Sequence, residues 1–253
     1  MIRGLERLTS MRYPGRGIIL GRDLSGLRRV VVYFVTGRSA SSQARRLTWE
    51  DSTLWTKPTD EKTLSTGAVE LLIYPAVMLG PAGLAVSNGR QTEDIARTLR
   101  PGARARGALG EALKSWTYEP DAPIYTPRIS GCLGPGEGSG LAILSRTPNG
   151  GEARRFYALP AFKKGRGLLL TTYSGPDRRL VPAFTGAPRP VRLRRRTAQE
   201  MAEAVYSALG PSHGRKDYRV AVACLFVGPG DGRPVEVKVI NRSERMGAGH
   251  GQG

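Results

Sequence analysis

Gly17-Ile18-Ile19-Leu20-Gly21, a turn at Asp23-Leu24-Ser25-Gly26, then Arg29-Val30-Val31-Val32-Tyr33-Phe34-Val35: these sixteen residues decide the class of fold. Both runs are short, rich in β-branched or aromatic residues, and separated by turn formers, so they predict a hairpin. Neither run alternates with polar residues, so both faces of the pair are expected to be covered. A second pair is predicted at 69–79 and 83–86, turning at Gly80-Pro81-Ala82-Gly83. Thr92, with Glu93 and Asp94 after it, is expected to cap a helix that ends at Pro101-Gly102; Leu109, Leu113 and Trp116 mark a second helix. Further strands are predicted at 128–133, 139–145, 154–159 and 167–173, with a turn at Pro148-Asn149-Gly150-Gly151. Thr197-Ala198-Gln199-Glu200 reads as a capping box ahead of a helix with an apolar face at Met201, Ala204, Val205, Ala208 and Leu209. Strands at 218–228 and 235–241 close the pattern. Paired strands with helices between them favour two stacked sheets covered by helices over a Rossmann fold, in one domain.

Composition limits the chemistry less sharply. The net charge is +18, but only seven of the 39 basic residues are lysines, and the arginines are spread along the chain. The dense run Arg192-Leu193-Arg194-Arg195-Arg196 reads as a solvated basic linker before a helix. A nucleic-acid-binding protein is the rival reading, weakened by an aromatic content of 7%, too sparse for a stacking platform. A positive field also attracts a small phosphorylated substrate. Cys132 and Cys224 lie far apart with no metal-ligand spacing, which fits a reducing, cytoplasmic setting. No apolar run approaches the roughly 20 residues that span a bilayer. The arginines at 3, 7, 12 and 16 accompany no apolar segment, which argues against a secretory leader and leaves an Arg-rich transit segment compatible with composition.

The common catalytic signatures are missing: there is no GxSxG, no Walker loop and no HExxH, and the two histidines are His213 and His250. Gly134 to Gly140 is glycine-rich but lies between strands, so it reads as a turn rather than a phosphate cradle. Polar clusters instead sit at the ends of apolar runs: Thr36-Gly37-Arg38-Ser39, Val86-Ser87-Asn88-Gly89, Tyr118-Glu119-Pro120-Asp121, Thr126-Pro127-Arg128-Ile129 and Thr172-Tyr173. Each alone has a plain explanation as a turn, a cap or a surface charge.

Taken in order, with Tyr13-Pro14-Gly15-Arg16 and Gly21-Arg22 ahead of them, these clusters resemble the archaeal-type IMP cyclohydrolase family. The resemblance rests on Arg38-Ser39 leading to Arg45, on Ser87-Asn88-Gly89 with Thr92, on Tyr118-Glu119-Pro120-Asp121 and on Thr126-Pro127-Arg128-Ile129. It is close over 13–133 and thins to Thr172-Tyr173 beyond. It implies an α+β fold of the N-terminal-nucleophile hydrolase type, a four-layered αββα sandwich of two stacked, mostly antiparallel sheets. It implies no processed amino-terminal nucleophile and a homo-oligomer, a tetramer or dimer. Residues 11–245 would form the single domain, 1–10 an extension ahead of Met11 and 246–253 a flexible tail.

The substrate so implied is a purine nucleotide, 5-formamidoimidazole-4-carboxamide ribonucleotide, closed to IMP with loss of water. Nucleophile and electrophile share one ring, so no metal or other cofactor is called for. The reaction needs alignment, a base for a weakly nucleophilic amide, and a cation for the formyl oxygen. The resemblance assigns Glu119 as the base and Arg45 as the oxyanion stabiliser. Arg45 is preferred over Arg46 across a segment longer than in relatives, Arg38 to Arg46. Arg38, Ser39, Ser87, Asn88, Gly89, Thr92, Tyr118, Arg128 and Tyr173 are the expected substrate-binding residues. No membrane partner is expected. A related ring closure on a modified nucleotide would need the same base and cation, and the sequence does not separate the two.

Overall fold

The computed structural model describes residues 4–60, 73–211, 215–229 and 232–247. Along the chain run α1 (Glu6–Thr9), β1 (Arg16–Arg22), β2 (Arg29–Thr36), α2 (Ala40–Gln43), β3 (Arg45–Glu50), β4 (Thr53–Pro58), β5 (Tyr74–Gly80) and β6 (Gly83–Ser87). Then come α3 (Gln91–Thr98), α4 (Ala105–Ala112), β7 (Arg128–Leu133), β8 (Ser139–Arg146), β9 (Glu152–Leu159) and β10 (Arg166–Thr171). The chain continues through β11 (Arg189–Arg192), α5 (Ala198–Ala208), β12 (Arg219–Val227), β13 (Pro234–Asn241) and α6 (Arg242–Gly247).

The predicted β1–β2 hairpin is present, with Ile18 opposite Tyr33 and Leu20 opposite Val31. It forms the middle of a six-stranded sheet in the order β11-β10-β1-β2-β12-β13. The second sheet runs β3 to β9 in chain order, and every pairing in both sheets is antiparallel. Strand alternation explains the unbroken apolar runs. Ile18, Leu20, Val31, Tyr33 and Val35 face the other sheet, meeting Leu47, Leu54, Val77, Ile129 and Leu141 in the central core. Ile19, Val30, Val32 and Phe34 face the opposite way, against Met201, Ala202 and Val205 of α5. On the far side, Ala85, Cys132 and Ala142 pack under Ile95, Leu99 and Leu109 from the α3 and α4 region. Helix, sheet, sheet, helix: the four-layered α+β sandwich is the fold.

Several local expectations need correction. Strands β3 and β4 and the short β11 were not predicted. Thr92 does not cap α3: it lies inside that helix, whose N-cap is Arg90, and the helix stops at Thr98, short of Pro101-Gly102. Thr197 does cap α5, accepting from the Glu200 amide, but the Glu200 carboxylate accepts from Arg196 N–H rather than from the cap's own amide. Helix α6 carries regular structure to Gly247, past the expected start of the tail at 246. Residues 69–72 of the predicted 69–79 strand, both histidines and residues 248–253 lie outside the described residues. Of the described residues ahead of Met11, Leu5 and Leu8 are buried in the cluster that packs under α5.

Candidate active site

The cleft opens beside α3, where the start of β5, the turn after β6, the Trp116–Pro120 segment and the start of β7 converge. Its volume is about 380 Å³, and Tyr74, Asn88, Trp116, Glu119 and Arg128 line it.

Glu119 is 2% exposed. Two of the motifs quoted above form the single folded loop that holds it. The Glu119 amide donates to the Thr126 carbonyl at 2.9 Å. Asp121 closes the loop by accepting from the Thr126 amide at 2.6 Å and from the Thr126 hydroxyl at 2.5 Å. The acid two residues after Glu119 is therefore a clamp. Thr126 Oγ1 also meets the Tyr173 hydroxyl at 3.0 Å, and the Tyr173 ring stacks on Tyr13 with centroids 5.5 Å apart. Burial pushes the Tyr173 hydroxyl up to about 12.

Three arginines surround Glu119. Arg16, at the start of β1, brings Nη2 to 3.7 Å from Glu119 Oε2. Gly15 places it there. Its φ of +74° suits glycine, and a Cβ would strike the Thr172 hydroxyl and approach Tyr173 Cδ2 to 2.6 Å. Arg45 opens β3 and shares a strand face with Leu47, so it points between the sheets, buried, while Arg46 points outward and is exposed. Arg128 opens β7 on the helix-facing side and lies over the Trp116 ring, 4.9 Å from its centroid. The Nε–H groups of Arg45 and Arg128 are buried and make no hydrogen bond among the described residues. Leaving such donors unsatisfied is costly, which marks them as poised for an acceptor.

The electrostatics follow from this crowding. Burial raises Glu119 above the ordinary carboxylate range, opposed by the positive charges of Arg16, Arg128 and Arg45 and reinforced by Asp121. Burial lowers Arg45, and the neighbouring Arg16 charge lowers it further. Arg16 is mostly buried, which lowers it, but the charge on Glu119, with Tyr74, Tyr173 and Tyr33, holds it well above its usual value. Arg16 thus stays protonated, and Glu119 is the group whose charge can change. Tyr74 meets the Tyr33 hydroxyl at 3.0 Å behind the cleft.

The predicted site residues fall into three groups. Glu119, Asn88, Gly89 and Arg128 line the cleft, Arg45 acts on the Glu119 charge without lining it, and Tyr173 is linked to Glu119's loop through Thr126. Ser87 and Thr92 lie behind: their hydroxyls meet at 2.6 Å, and each lies within hydrogen-bond reach of the Gly89 carbonyl, at 2.8 and 3.0 Å, so one donates to its neighbour and the other to the carbonyl, knitting the turn. Arg38, Ser39 and Tyr118 are engaged elsewhere. Arg38 pairs with Asp177 at 3.3 Å, Ser39 caps α2, and the Tyr118 hydroxyl donates to the Gly150 carbonyl at 3.4 Å. Sequence reasoning missed Arg16, Tyr74, Gln91 and Trp116 as site residues. Arg16 had a signal, since it ends the Tyr13-Pro14-Gly15-Arg16 motif.

Residues 13–226 match the model of a family described as IMP cyclohydrolase-like protein. The chain belongs to that family. Among curated proteins, it is 33% identical over 122 residues to the IMP cyclohydrolase of Haloquadratum walsbyi, across 48% of this chain and 57% of that protein. It is 29% identical over 122 residues to the IMP cyclohydrolase of Haloarcula marismortui, across 48% of this chain and 55% of the relative. The matched stretch is thus about half of this chain and just over half of each relative. Solved structures of Anbu align along most of the chain at low similarity. For Hyphomicrobium sp. strain MC1 the identity is 11%, with 91% of this chain and 89% of that one covered and a TM-score of 0.34. For Yersinia bercovieri Anbu the values are 10%, 93%, 94% and 0.37.

Proposed function

We propose that this member of the IMP cyclohydrolase-like family closes 5-formamidoimidazole-4-carboxamide ribonucleotide to IMP. The observation that carries the reading is a buried carboxylate, Glu119, which lines the cleft with Arg128 and lies in the positive field of Arg16, Arg128 and Arg45.

The carboxamide nitrogen attacks the formyl carbon as Glu119 takes a proton from that nitrogen. A carboxylate lifted by burial is a stronger base than an exposed one. The new C–N bond pushes the carbonyl electron pair onto the formyl oxygen, where Arg45 supplies charge and a buried donor. Return of the first proton to that oxygen makes a hydroxyl, which leaves as water together with the proton of the formamido nitrogen, so that the C=N bond of the product forms to that nitrogen while the carboxamide nitrogen keeps its remaining hydrogen. Arg128, backed by Trp116, offers a planar cation to an anionic or carbonyl group of the nucleotide. Around the buried Glu119 these interactions act at lower dielectric than in water.

The test is turnover of the formamido ribonucleotide beside analogues altered in the ribose or ring substituents, followed by absorbance of the purine product. Conversion of the parent compound, abolished by Glu119→Gln, supports the assignment. Selective conversion of an analogue would move it to a modified nucleotide.

A further inference from the structure

The amide of Asn88 can face only one way. The Pro127 carbonyl can only accept, and it lies 3.0 Å from Nδ2; the Ile129 amide can only donate, and it lies 2.8 Å from Oδ1. Nδ2 therefore also donates to Oε1 of Glu119 at 3.2 Å. Oδ1 takes a second hydrogen from Gln91 Nε2 at 3.3 Å, which turns Gln91 Oε1 toward Arg128 Nη1 at 3.1 Å. The result is a chain of hydrogen bonds with one direction: Arg128 to Gln91, Gln91 to Asn88, Asn88 to Glu119. Gln91 is wholly buried and Asn88 nearly so. A Cβ at Gly89 would lie 2.6 Å from both Arg128 Nη1 and Gln91 Oε1, so the turn leaves room for this link.

Building on the function proposed above, we infer that Gln91 is a positioning residue that aligns Arg128 and, through Asn88, fixes Oε1 of Glu119 as an acceptor, leaving Oε2 to take the substrate proton. Oε2 is the oxygen nearest Arg16. A buried side chain serving only as packing would be replaced without penalty to chemistry by an apolar one of similar length. One whose two ends each hold a charged partner's bond would not.

The test compares wild type with Gln91→Met, which keeps the length and removes both hydrogen bonds; thermal unfolding confirms the fold. The groups facing Glu119 are Arg16 from β1, Arg45 from β3, Arg128 from β7 and Asp121 from its own loop. The ¹³C carboxyl resonance of Glu119, assigned by its loss in Glu119→Gln, is titrated without substrate. We expect the Gln91→Met midpoint to move to higher pH, kcat to fall roughly 10- to 100-fold, and KM to rise as Arg128 loses its support. An unchanged or lowered midpoint with wild-type kinetics overturns the inference. Should Gln91→Met not fold, the side-chain amide protons of Asn88 and Gln91 in wild type decide. Both should shift as Glu119 titrates, and no shift overturns the chain. If wild type fails to close the ring at all, the proposed function falls, while these substrate-free resonances still report on the alignment.

Discussion

Arg16 Nη2 and Glu119 Oε2 lie 3.7 Å apart, Glu119 buried and Arg16 mostly so, one at the entry of a central strand and the other in the loop that leads into the opposite sheet. The contact joins the two halves of the sandwich at the cleft. Removing Arg16 takes away the first-ranked positive influence on Glu119 and leaves burial to act with less opposition. The carboxyl should then hold its proton to higher pH. In wild type, kcat/KM should fall as pH drops through the raised midpoint of Glu119, above the ordinary glutamate value of about 4.3. In Arg16→Met that acid limb should move to higher pH. A pH–rate profile of both proteins checks this, and a limb that stays in place contradicts it.

Arg45→Lys should lower kcat about 10- to 100-fold, because it keeps the charge but loses the planar guanidinium at a buried position. Arg46→Lys should leave kcat within about twofold, since Arg46 points to solvent. Steady-state kinetics of the two single variants discriminate them directly.

The sequence left Arg45 and Arg46 open, and the strand that buries one and exposes the other is one the sequence concealed. Arg45-Arg46-Leu47-Thr48-Trp49-Glu50 is short, charged at its start and on the edge of a sheet, so its alternation was easy to miss. Its hairpin partner follows a two-residue turn at Asp51-Ser52, both at positive φ, instead of the Asn-Gly or Asp-Gly that usually signals such a turn. The central strands, by contrast, were legible because burial on both faces demands an unbroken apolar run. Glu119, Asn88 and Arg128 were legible through resemblance. Their hydrogen-bond partner Gln91 was not, because a single buried amide at a helix start has no signature until its neighbours are in place. Ser39 and Thr92 illustrate the converse: small hydroxyl residues in a site motif whose bonds serve the backbone and the turn.

Leu8 is fully buried in the cluster beneath α5, ahead of Met11. Leu8→Ala should cost about 2–5 kcal/mol of stability. Denaturant unfolding measures it, with a loss below 0.5 kcal/mol contradicting that burial.

Gly15→Ala should displace Arg16, since a Cβ there collides with Thr172 and Tyr173. Activity should fall on the order of 10²-fold, as misplacing a catalytic neighbour by about 1 Å does. Turnover near wild type would show that the site tolerates a shifted β1 entry.

Glu119→Gln tests the account at its centre, because it preserves shape and removes the base. With a nucleotide-affinity measurement alongside, ring closure of the formamido ribonucleotide followed by absorbance should fall ~10²- to 10⁴-fold while the product nucleotide still binds. A Glu119→Gln protein that closes the ring at near wild-type rate would contradict the account.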